Sequence, residues 1–245
     1  MDIELRHASL HWQQHCVFDH LDLTLPGRQW TSILGQSGVG KSSLLQLLCG
    51  IADSAVIQGE IHCSDGLALH GRVAWMAQQD LLLPWLNLLD NVLLGARLQQ
   101  GRRPTSEQRE LAGYLLQQVG LGDRTTTRPG QLSGGQRQRV ALARTLFQDQ
   151  PLVCMDEPFS ALDAINRLKL QDLAAELLAD RTVLMITHDP LEALRLSDRI
   201  LVLQGHPARL SEALEPEGVI PRAVDDAEVL QHQARLLRLL AGETV

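Results

Sequence analysis

The chain has 245 residues, of which 44% are hydrophobic, so it can form one large domain with a substantial core. Its net charge is −7, from 29 acidic and 22 basic residues, which argues against nucleic acid as a partner because a phosphate backbone requires a positive face. No run approaches the roughly 20 apolar residues that span a bilayer, and the acidic residues 1–4 do not resemble a secretory signal. We therefore expect a soluble, cytoplasmic protein.

The N-terminal part is predicted to form an antiparallel β-subdomain. Apolar and polar residues alternate around Ile3 and Leu5 and again over residues 21–25, which is typical of half-buried strands. A turn is expected near residues 11–15. Further short strands are predicted at residues 59–62 and 72–76.

Neither the N-terminal histidines nor the cysteines predict a metal site. The histidines are four residues apart, but on a strand this step covers roughly 13 Å, so we interpret them as solvated side chains. The cysteines form no C-x-x-C pair and are interpreted as structural. The residues concerned are His7, His11, His15, Cys16, Cys49, Cys63 and Cys154.

A glycine-rich segment follows a short apolar strand at residues 30–34 and precedes a predicted helix at residues 43–48. Residues 35–42, here called the P-loop, read Gly-Gln-Ser-Gly-Val-Gly-Lys-Ser, in which the glycines let backbone N–H groups surround a phosphate. Lys41 is placed to reach the β- and γ-phosphates, and the Ser42 hydroxyl to ligate Mg²⁺. The chain is therefore predicted to bind a nucleoside triphosphate. The predicted binding residues here are Gly35, Gln36, Ser37, Gly38, Val39, Gly40, Lys41, Ser42 and Ser43.

From about Leu81 to Phe147 the pattern becomes helical. Residues 105–108 form a predicted capping box, and Gly120 supplies a stop. Between them, an apolar residue recurs every four positions. These residues are Leu111, Leu115 and Val119. The segment is predicted to form a helical subdomain inserted into an α/β frame.

The α/β pattern then returns. Continuous apolar runs predict buried strands at residues 152–157, 182–187 and 199–203. Helices are predicted at residues 163–180, after Asp189-Pro190, and at residues 226–241, with a loop at 205–223. The last helix is expected to bury Leu230, Leu237 and Leu240, against either the catalytic domain or a partner chain.

Two carboxylates end the first of these strands. In the parallel sheet of a P-loop nucleotidase, we expect this strand to lie beside the P-loop strand, so that Asp156 faces Ser42 across Mg²⁺. Glu157 is then placed to polarise the attacking water as a general base.

A second predicted phosphate-binding segment precedes this strand. Residues 132–136, here called the signature loop, present the Ser133 hydroxyl and glycine N–H groups at the start of a predicted helix. Because the P-loop already binds one triphosphate, the second segment is predicted to serve the nucleotide of another copy. Its binding residues are Ser133, Gly134, Gly135 and Gln136.

These motifs resemble those of the ATP-binding-cassette (ABC) ATPases, over nearly the whole chain and in the family order. The resemblance adds Gln78 as the Q-loop residue, residues 160–163 as the D-loop and His188 as the switch histidine. It implies two subunits paired head to tail, each ATP lying between Lys41 of one and Ser133 of the other. His188 would contact the γ-phosphate.

The resemblance assigns further roles and leaves two alternatives open. Gln78 would touch Mg²⁺ and the water while sensing a transport partner, although neighbouring Gln79 is the other candidate. Asp163 would link the two sites of the dimer. Trp12 stands where the family most often has a tyrosine that stacks on adenine, or else it packs against the sheet.

The apolar residues 81–86 follow the Q-loop. They either belong to the core or line a groove for a short helix of a membrane permease. The Leu-Leu-Pro-Trp tetrad at 82–85 also resembles importers of nitrate, sulfonates, taurine and thiamine pyrimidine precursors (hydroxymethylpyrimidine).

We therefore expect one ABC ATPase domain that uses ATP and Mg²⁺ to power solute import. Its expected partners are a second copy, a membrane permease near residues 78–86 and a separate solute-binding protein, at the inner face of the membrane. A soluble ATPase of cluster assembly is the alternative. The expected parts are the core with its β-subdomain (1–80 and 148–205), the helical subdomain (81–147) and a C-terminal extension (206–245).

Overall fold

A computed structural model describes residues 1–13, 15–52, 56–100 and 103–241. The strands are β1 (Ile3–Trp12), β2 (His15–Leu25), β3 (Trp30–Leu34), β4 (Val56–Cys63), β5 (Val73–Met76), β6 (Leu152–Asp156), β7 (Thr182–Ile186), β8 (Arg199–Gln204) and β9 (Arg209–Leu210). The helices are α1 (Lys41–Leu48), α2 (Leu88–Val92), α3 (Leu94–Gln100), α4 (Ser106–Gln118), α5 (Gly134–Phe147), α6 (Ala164–Leu177), α7 (Pro190–Leu196) and α8 (Ala227–Leu240). The result is the expected α/β fold.

The N-terminal sheet is antiparallel, with the order β2-β1-β4. Its alternating side chains, such as Ile3, Leu5 and Leu23, are buried on one face, as their period of two predicts. The turn is shorter than residues 11–15, because β1 and β2 stay paired as far as Trp12 and His15.

The larger sheet has the order β5-β6-β7-β3-β8-β9, and only β9 pairs in the antiparallel direction. The expectation that the Asp156 strand lies beside the P-loop strand is wrong, because β7 pairs with both β3 and β6 and separates them. Both candidate neighbours are fully buried strands, so their residue patterns alone do not give the strand order.

The helical part begins later than expected. Residues 77–87 contain no helix or strand, and the first helix starts at Leu88. The predicted capping box at Thr105 and Gln108 is present and starts α4. Leu111 is 44% exposed, whereas Leu115 is buried. A strict four-residue spacing drifts around a helix of 3.6 residues per turn, so this series does not stay on one face.

Three buried clusters hold the elements together. One lies between the helical part and one face of the larger sheet, and a second lies between the other face, α1 and the antiparallel sheet. The third lies beneath α8, which packs on the catalytic domain through contacts with α7.

Helix α8 buries only part of the expected face, since Leu240 packs against the third cluster but the other two leucines do not. Leu230 and Leu237 are exposed, while Val229 and Leu236 are buried. Leucines lie on more than one side of this helix, so the sequence pattern alone does not show which side packs against the domain. Among the described residues, no helix is both long enough and apolar enough to cross a bilayer.

Candidate active site

The P-loop connects β3 to α1. Gly38 and Gly40 have φ angles of 82° and 110°, which L side chains rarely adopt. A Cβ atom at Gly40 would also lie 2.5 Å from Val17 Cγ1. The Lys41 ammonium donates hydrogen bonds to the carbonyl oxygens of Gly35 (2.7 Å) and Gln36 (2.9 Å). The loop therefore wraps closely around the lysine that starts α1.

A pocket of about 270 Å³ lies against this loop. It is lined by Gly38, Val39, Gly40, Lys41, Ser42, Ser43, Trp12, His15, Val17 and His206. Trp12 therefore lies at the P-loop, where it can meet the base of a nucleotide. Sequence reasoning did not select His15, Val17 or His206, and His206 carried no signal because it lies far along the chain in a predicted loop.

Ser42 and Asp156 meet across the sheet despite the intervening strand. The Ser42 hydroxyl donates to Asp156 Oδ2 at 2.8 Å. Burial raises the pKa of Asp156, and Glu157 adds to the rise, while Ser42 and Lys41 lower it. A hydroxyl and a carboxylate are oxygen donors of the kind that Mg²⁺ prefers, so this pair fits a magnesium ion.

The pKa of Lys41 is shifted in the opposite direction from that of Asp156. Burial lowers the pKa of its ammonium, and the carboxylates of Glu157 and Asp156 raise it. The buried cation is therefore held among carbonyl oxygens with two carboxylates nearby. This is a suitable environment for a group that binds a polyphosphate.

Glu157 lies at the centre of the remaining site residues. Gln78 Nε2 donates to Glu157 Oε2 at 3.2 Å, and His188 Nδ1 lies 3.1 Å from Glu157 Oε1. The φ angle of Glu157 is 47°, which is unusual for a residue with a side chain. Its N–H donates to Ile186 O at 2.8 Å, so the end of β7 holds this backbone in place.

The signature loop lies elsewhere in the chain. Ser133 caps α5, accepting from Gln136 N at 3.3 Å, while Gln136 Oε1 accepts from Ser133 N at 3.0 Å. Ser133 and Gly134 are exposed, and none of residues 132–136 is among those that line the P-loop pocket. Asp163 is likewise exposed and caps α6. The structure thus brings together Lys41, Ser42, Gln78, Asp156, Glu157 and His188, and leaves Ser133, Gly134 and Asp163 on the surface.

Gln138 connects the signature helix to the site, and sequence reasoning missed it. Its Nε2 donates to Glu157 O at 3.1 Å, and its Oε1 accepts from Ala161 N at 3.0 Å. The side chain is buried. A polar residue on the inward face of α5, one turn before Ala141 and Leu142, was the available signal.

Two arginines of α5 hold the segment after Gln78. Arg137 Nε donates to Asp80 Oδ2 at 2.9 Å, and Arg144 donates to the carbonyls of Asp80 (2.7 Å) and Leu81 (2.8 Å). Burial lowers the pKa of Arg144. Helix α5 therefore contacts both the backbone of Glu157 and the segment that follows Gln78.

The described residues contain no cluster of three or more His, Cys, Asp or Glu side chains arranged for a metal ion. Magnesium bound with a nucleotide does not need one, because substrate phosphates and water complete its coordination. The four cysteines are free thiols, and Cys154 is buried.

A protein-family model described as "ABC transporter" matches residues 18–160. A Haemophilus influenzae protein named "Uncharacterized ABC transporter ATP-binding protein" is 48% identical over 244 residues, covering 98% of this chain and 99% of its own length. "Aliphatic sulfonates import ATP-binding protein SsuB 1" of Rhodococcus jostii is 43% identical over 223 residues, covering 90% of this chain and 86% of its own length. "Aliphatic sulfonates import ATP-binding protein SsuB" of Delftia acidovorans is 40% identical, with coverages of 96% and 91%.

Solved structures agree with this assignment. The dimeric post-hydrolysis structure of the ATP-binding cassette MJ0796, bound to ADP and Pi, has a TM-score of 0.76 and 27% identity, and covers 89% of this chain and 100% of that one. An inward-facing putative metal-chelate type ABC transporter has a TM-score of 0.73 and 28% identity, with coverages of 86% and 82%. With its P-loop and paired carboxylates on the same fold, this chain belongs to the ABC transporter family as an ATP-binding, ATP-hydrolysing cassette.

Proposed function

We propose that this cassette powers the import of a small solute through a separate membrane permease and works as a head-to-tail dimer. The main support for the dimer is that the phosphate-binding groups of one chain lie in two separate places. The P-loop pocket and the exposed signature loop are both present in the chain but lie apart. A second copy can bring its signature loop to the P-loop, which explains why one chain has both.

The residues of the P-loop side would bind and orient the nucleotide. Trp12 would stack on the base, the loop N–H groups and Lys41 would hold the phosphates, and Ser42, Asp156 and Gln78 would hold Mg²⁺. The ion would supply positive charge that offsets the charge of the phosphates.

The chemical step is assigned to Glu157. Its carboxylate takes a proton from the attacking water. Gln78 and His188, whose nitrogen atoms lie 3.2 and 3.1 Å from the two carboxylate oxygens, orient the carboxylate from either side. His188 also reaches the γ-phosphate. Ser133, Gly134, Gly135 and Gln136 of the second copy complete the site, and Asp163 links it to the other one.

The permease is proposed to dock beside the Q-loop. Leu82 is buried, whereas Leu81 and Trp85 are 50% and 66% exposed, so the segment belongs partly to the core and partly to the surface. The exposed pair offers an apolar contact for a short helix of the permease. Arg137 and Arg144 attach this segment to α5, and Gln138 of the same helix binds the backbone of Glu157. A movement of the segment on docking can therefore be transmitted through α5 to Glu157.

The solute is proposed to be a sulfonate, taurine, nitrate or a thiamine pyrimidine precursor. Relatives named for aliphatic sulfonate import support the first of these, and the tetrad at 82–85 supports the group. A separate solute-binding protein and the permease would select among them. In this role the cassette would work at the inner face of the cell membrane.

The test is co-purification of the tagged chain with its permease from detergent-solubilised membranes, alongside Trp85→Ala. We expect the unchanged chain to retain a membrane protein and the variant to lose most of it, with the ATPase activity of the free chain unaltered. Tyr114→Ala is the control, because Tyr114 is also an exposed aromatic residue but lies on α4 and not in the segment after the Q-loop. A chain recovered only with soluble assembly proteins would contradict the import function.

A further inference from the structure

The turn that follows β6 begins at Glu157 and leads into the D-loop. The carbonyl oxygen of Glu157 accepts from the Ser160 N–H at 3.3 Å and from the Ser160 hydroxyl at 3.0 Å, and Phe159 between them is completely buried. With a φ of 47°, Glu157 has a conformation that a residue with a side chain keeps only where its surroundings hold it. The direction of its carboxylate therefore depends on the groups that hold this turn.

The side-chain amide of Gln138 spans the turn from α5. Its Nε2 donates to Glu157 O at 3.1 Å, and its Oε1 accepts from Ala161 N at 3.0 Å. Because a carbonyl oxygen needs a donor and an N–H needs an acceptor, these two partners allow the amide only one orientation. One planar group thus fixes the distance between the first residue of the turn and the last.

Helix α5 packs closely on the turn at this point. A Cβ atom at Gly135 would lie 3.0 Å from Leu162 Cδ2 and 3.3 Å from Ala161 O. Gln138 itself is only 4% exposed. A buried amide without its partners is destabilising, so Gln138 favours the one shape of the turn that satisfies both of its ends.

The carboxylate of Glu157 is contacted by exposed side chains, whereas its backbone is held by buried groups. The His188 side chain is 63% exposed and Gln78 is also exposed, so water competes for both contacts. By contrast, the Glu157 N–H donates to Ile186 O inside the protein, and its carbonyl oxygen accepts from the buried Gln138. The backbone is therefore fixed on both sides of the Cα atom from which the carboxylate projects.

We propose that Gln138 is a positioning residue for ATP hydrolysis: by clamping the turn from Glu157 to Ala161, it holds the Glu157 carboxylate toward the attacking water. Without this clamp the turn can relax from its φ of 47° and displace the carboxylate, while the P-loop is unchanged. Turnover then falls and nucleotide binding is kept. This inference rests on the role proposed above for Glu157.

The test measures ATP hydrolysis by the purified chain and by Gln138→Met, which has a similar length but makes neither hydrogen bond. We expect kcat to fall about 10- to 100-fold, as for a displaced catalytic group, with the KM for ATP nearly constant. Gln138→Glu can still accept from Ala161 N, but its carboxylate cannot donate to Glu157 O, so this variant should be slow as well.

Thr145→Val is the matched control on the same helix. The Thr145 side chain is buried and its hydroxyl donates to Ala141 O at 3.0 Å, about two turns beyond Gln138. The change removes a buried hydrogen bond that does not involve the turn, so kcat should stay close to that of the unchanged chain.

A double change separates positioning from a general effect on packing. In a Glu157→Gln chain the base is already absent, so adding Gln138→Met should lower the residual single-turnover rate by less than about twofold. Equal fold losses in the two backgrounds, or a Gln138→Met chain with unchanged kcat, would overturn the proposal. Circular dichroism checks folding, and Gln138→Glu takes the place of Gln138→Met if the methionine chain does not fold.

Failure of the role proposed for Glu157 would look different. Glu157→Gln would then hydrolyse ATP at the rate of the unchanged chain. If Glu157→Gln is slow but neither change at Gln138 is, only the positioning role is wrong.

Discussion

At the scale of single residues, the site depends on carboxylates whose surroundings differ. Glu157 is held in a backbone conformation with φ of 47°, between the side chains of Gln78 and His188. Asp156 is more buried and hydrogen-bonded to Ser42. The two neighbours therefore suit different tasks, with Glu157 available to water and Asp156 to a cation.

Changing Glu157 to Gln preserves the side-chain shape and removes the base. With ATP and Mg²⁺, the variant is expected to accumulate as a dimer and to lose at least about 100-fold in kcat, the scale of general-base catalysis. Size-exclusion chromatography and phosphate release measure the two effects. Lys41→Ala in the same background should stay monomeric, and a Glu157→Gln chain that hydrolyses ATP normally would remove Glu157 from the mechanism.

The buried carboxyl of Glu192 on α7 predicts how the free energy of unfolding changes with pH. Its pKa is raised from 4.5 to about 7 in the folded chain, so the folded state binds more protons than the unfolded state between these values. The stabilising contribution of the neutral carboxyl is therefore present at acid pH and is lost as the pH rises to about 7.

Glu192→Gln does not ionise, so its stability relative to the unchanged chain should increase by about 2 kcal/mol from about pH 5.5 to pH 8. Urea unfolding at the two pH values measures this difference. Parallel pH dependences of the two chains would show that Glu192 is not the responsible group.

At the scale of elements, α5 and α2 hold the segment that follows the Q-loop. The Asn91 side chain is completely buried, accepts from Leu83 N at 2.8 Å and donates to the carbonyls of Leu83, Leu86 and Asn87. One residue of α2 thus replaces the regular hydrogen bonding that residues 81–87 lack. This keeps Trp85 presented at the surface.

Asn91→Ala leaves these backbone groups without their partner. We expect the free energy of unfolding to fall by about 2–3 kcal/mol and the contact with the permease to weaken. Thermal unfolding and co-purification are the measurements. Asn87→Ala, which removes only the N-cap of α2, should cost about 1 kcal/mol and serves as the comparison. Equal effects of the two changes would argue against a central role for Asn91.

At the scale of the whole molecule, the proposed shared site predicts complementation between two inactive chains. In a mixed dimer of Lys41→Ala and Ser133→Asp, one site has both changes and the other has neither. Asp is a good N-cap, so α5 should remain capped while the new charge repels phosphate. Mixing equal amounts should restore roughly a quarter of the sites, since half of random dimers are mixed and each has one intact site.

The measurement is ATP hydrolysis by the mixture and by each variant alone. A chain with both changes, mixed with Lys41→Ala, is the matched control, because no pairing of these two gives an intact site. No recovery in the first mixture, with both variants folded, would contradict a site completed by a second copy.

The sequence alone determined the local parts of this protein. The P-loop, the capping box at Thr105, the start of α7 at Asp189 and the buried strands depend on residues within a few positions of one another. Steric limits on glycine, capping and side-chain periodicity act over such distances, so these features were predictable. The family resemblance followed from the order of the same motifs.

The tertiary structure decided what lies next to what. It placed β7 between β3 and β6, joined Gln78 to Glu157, and buried Val229 and Leu236 of α8 in place of Leu230 and Leu237. It also buried the polar side chains of Gln138 and Glu192 in hydrogen bonds to other elements, although neither was among the predicted site residues. Such contacts join residues far apart in the chain, and their energies depend on packing and burial that no local spacing encodes.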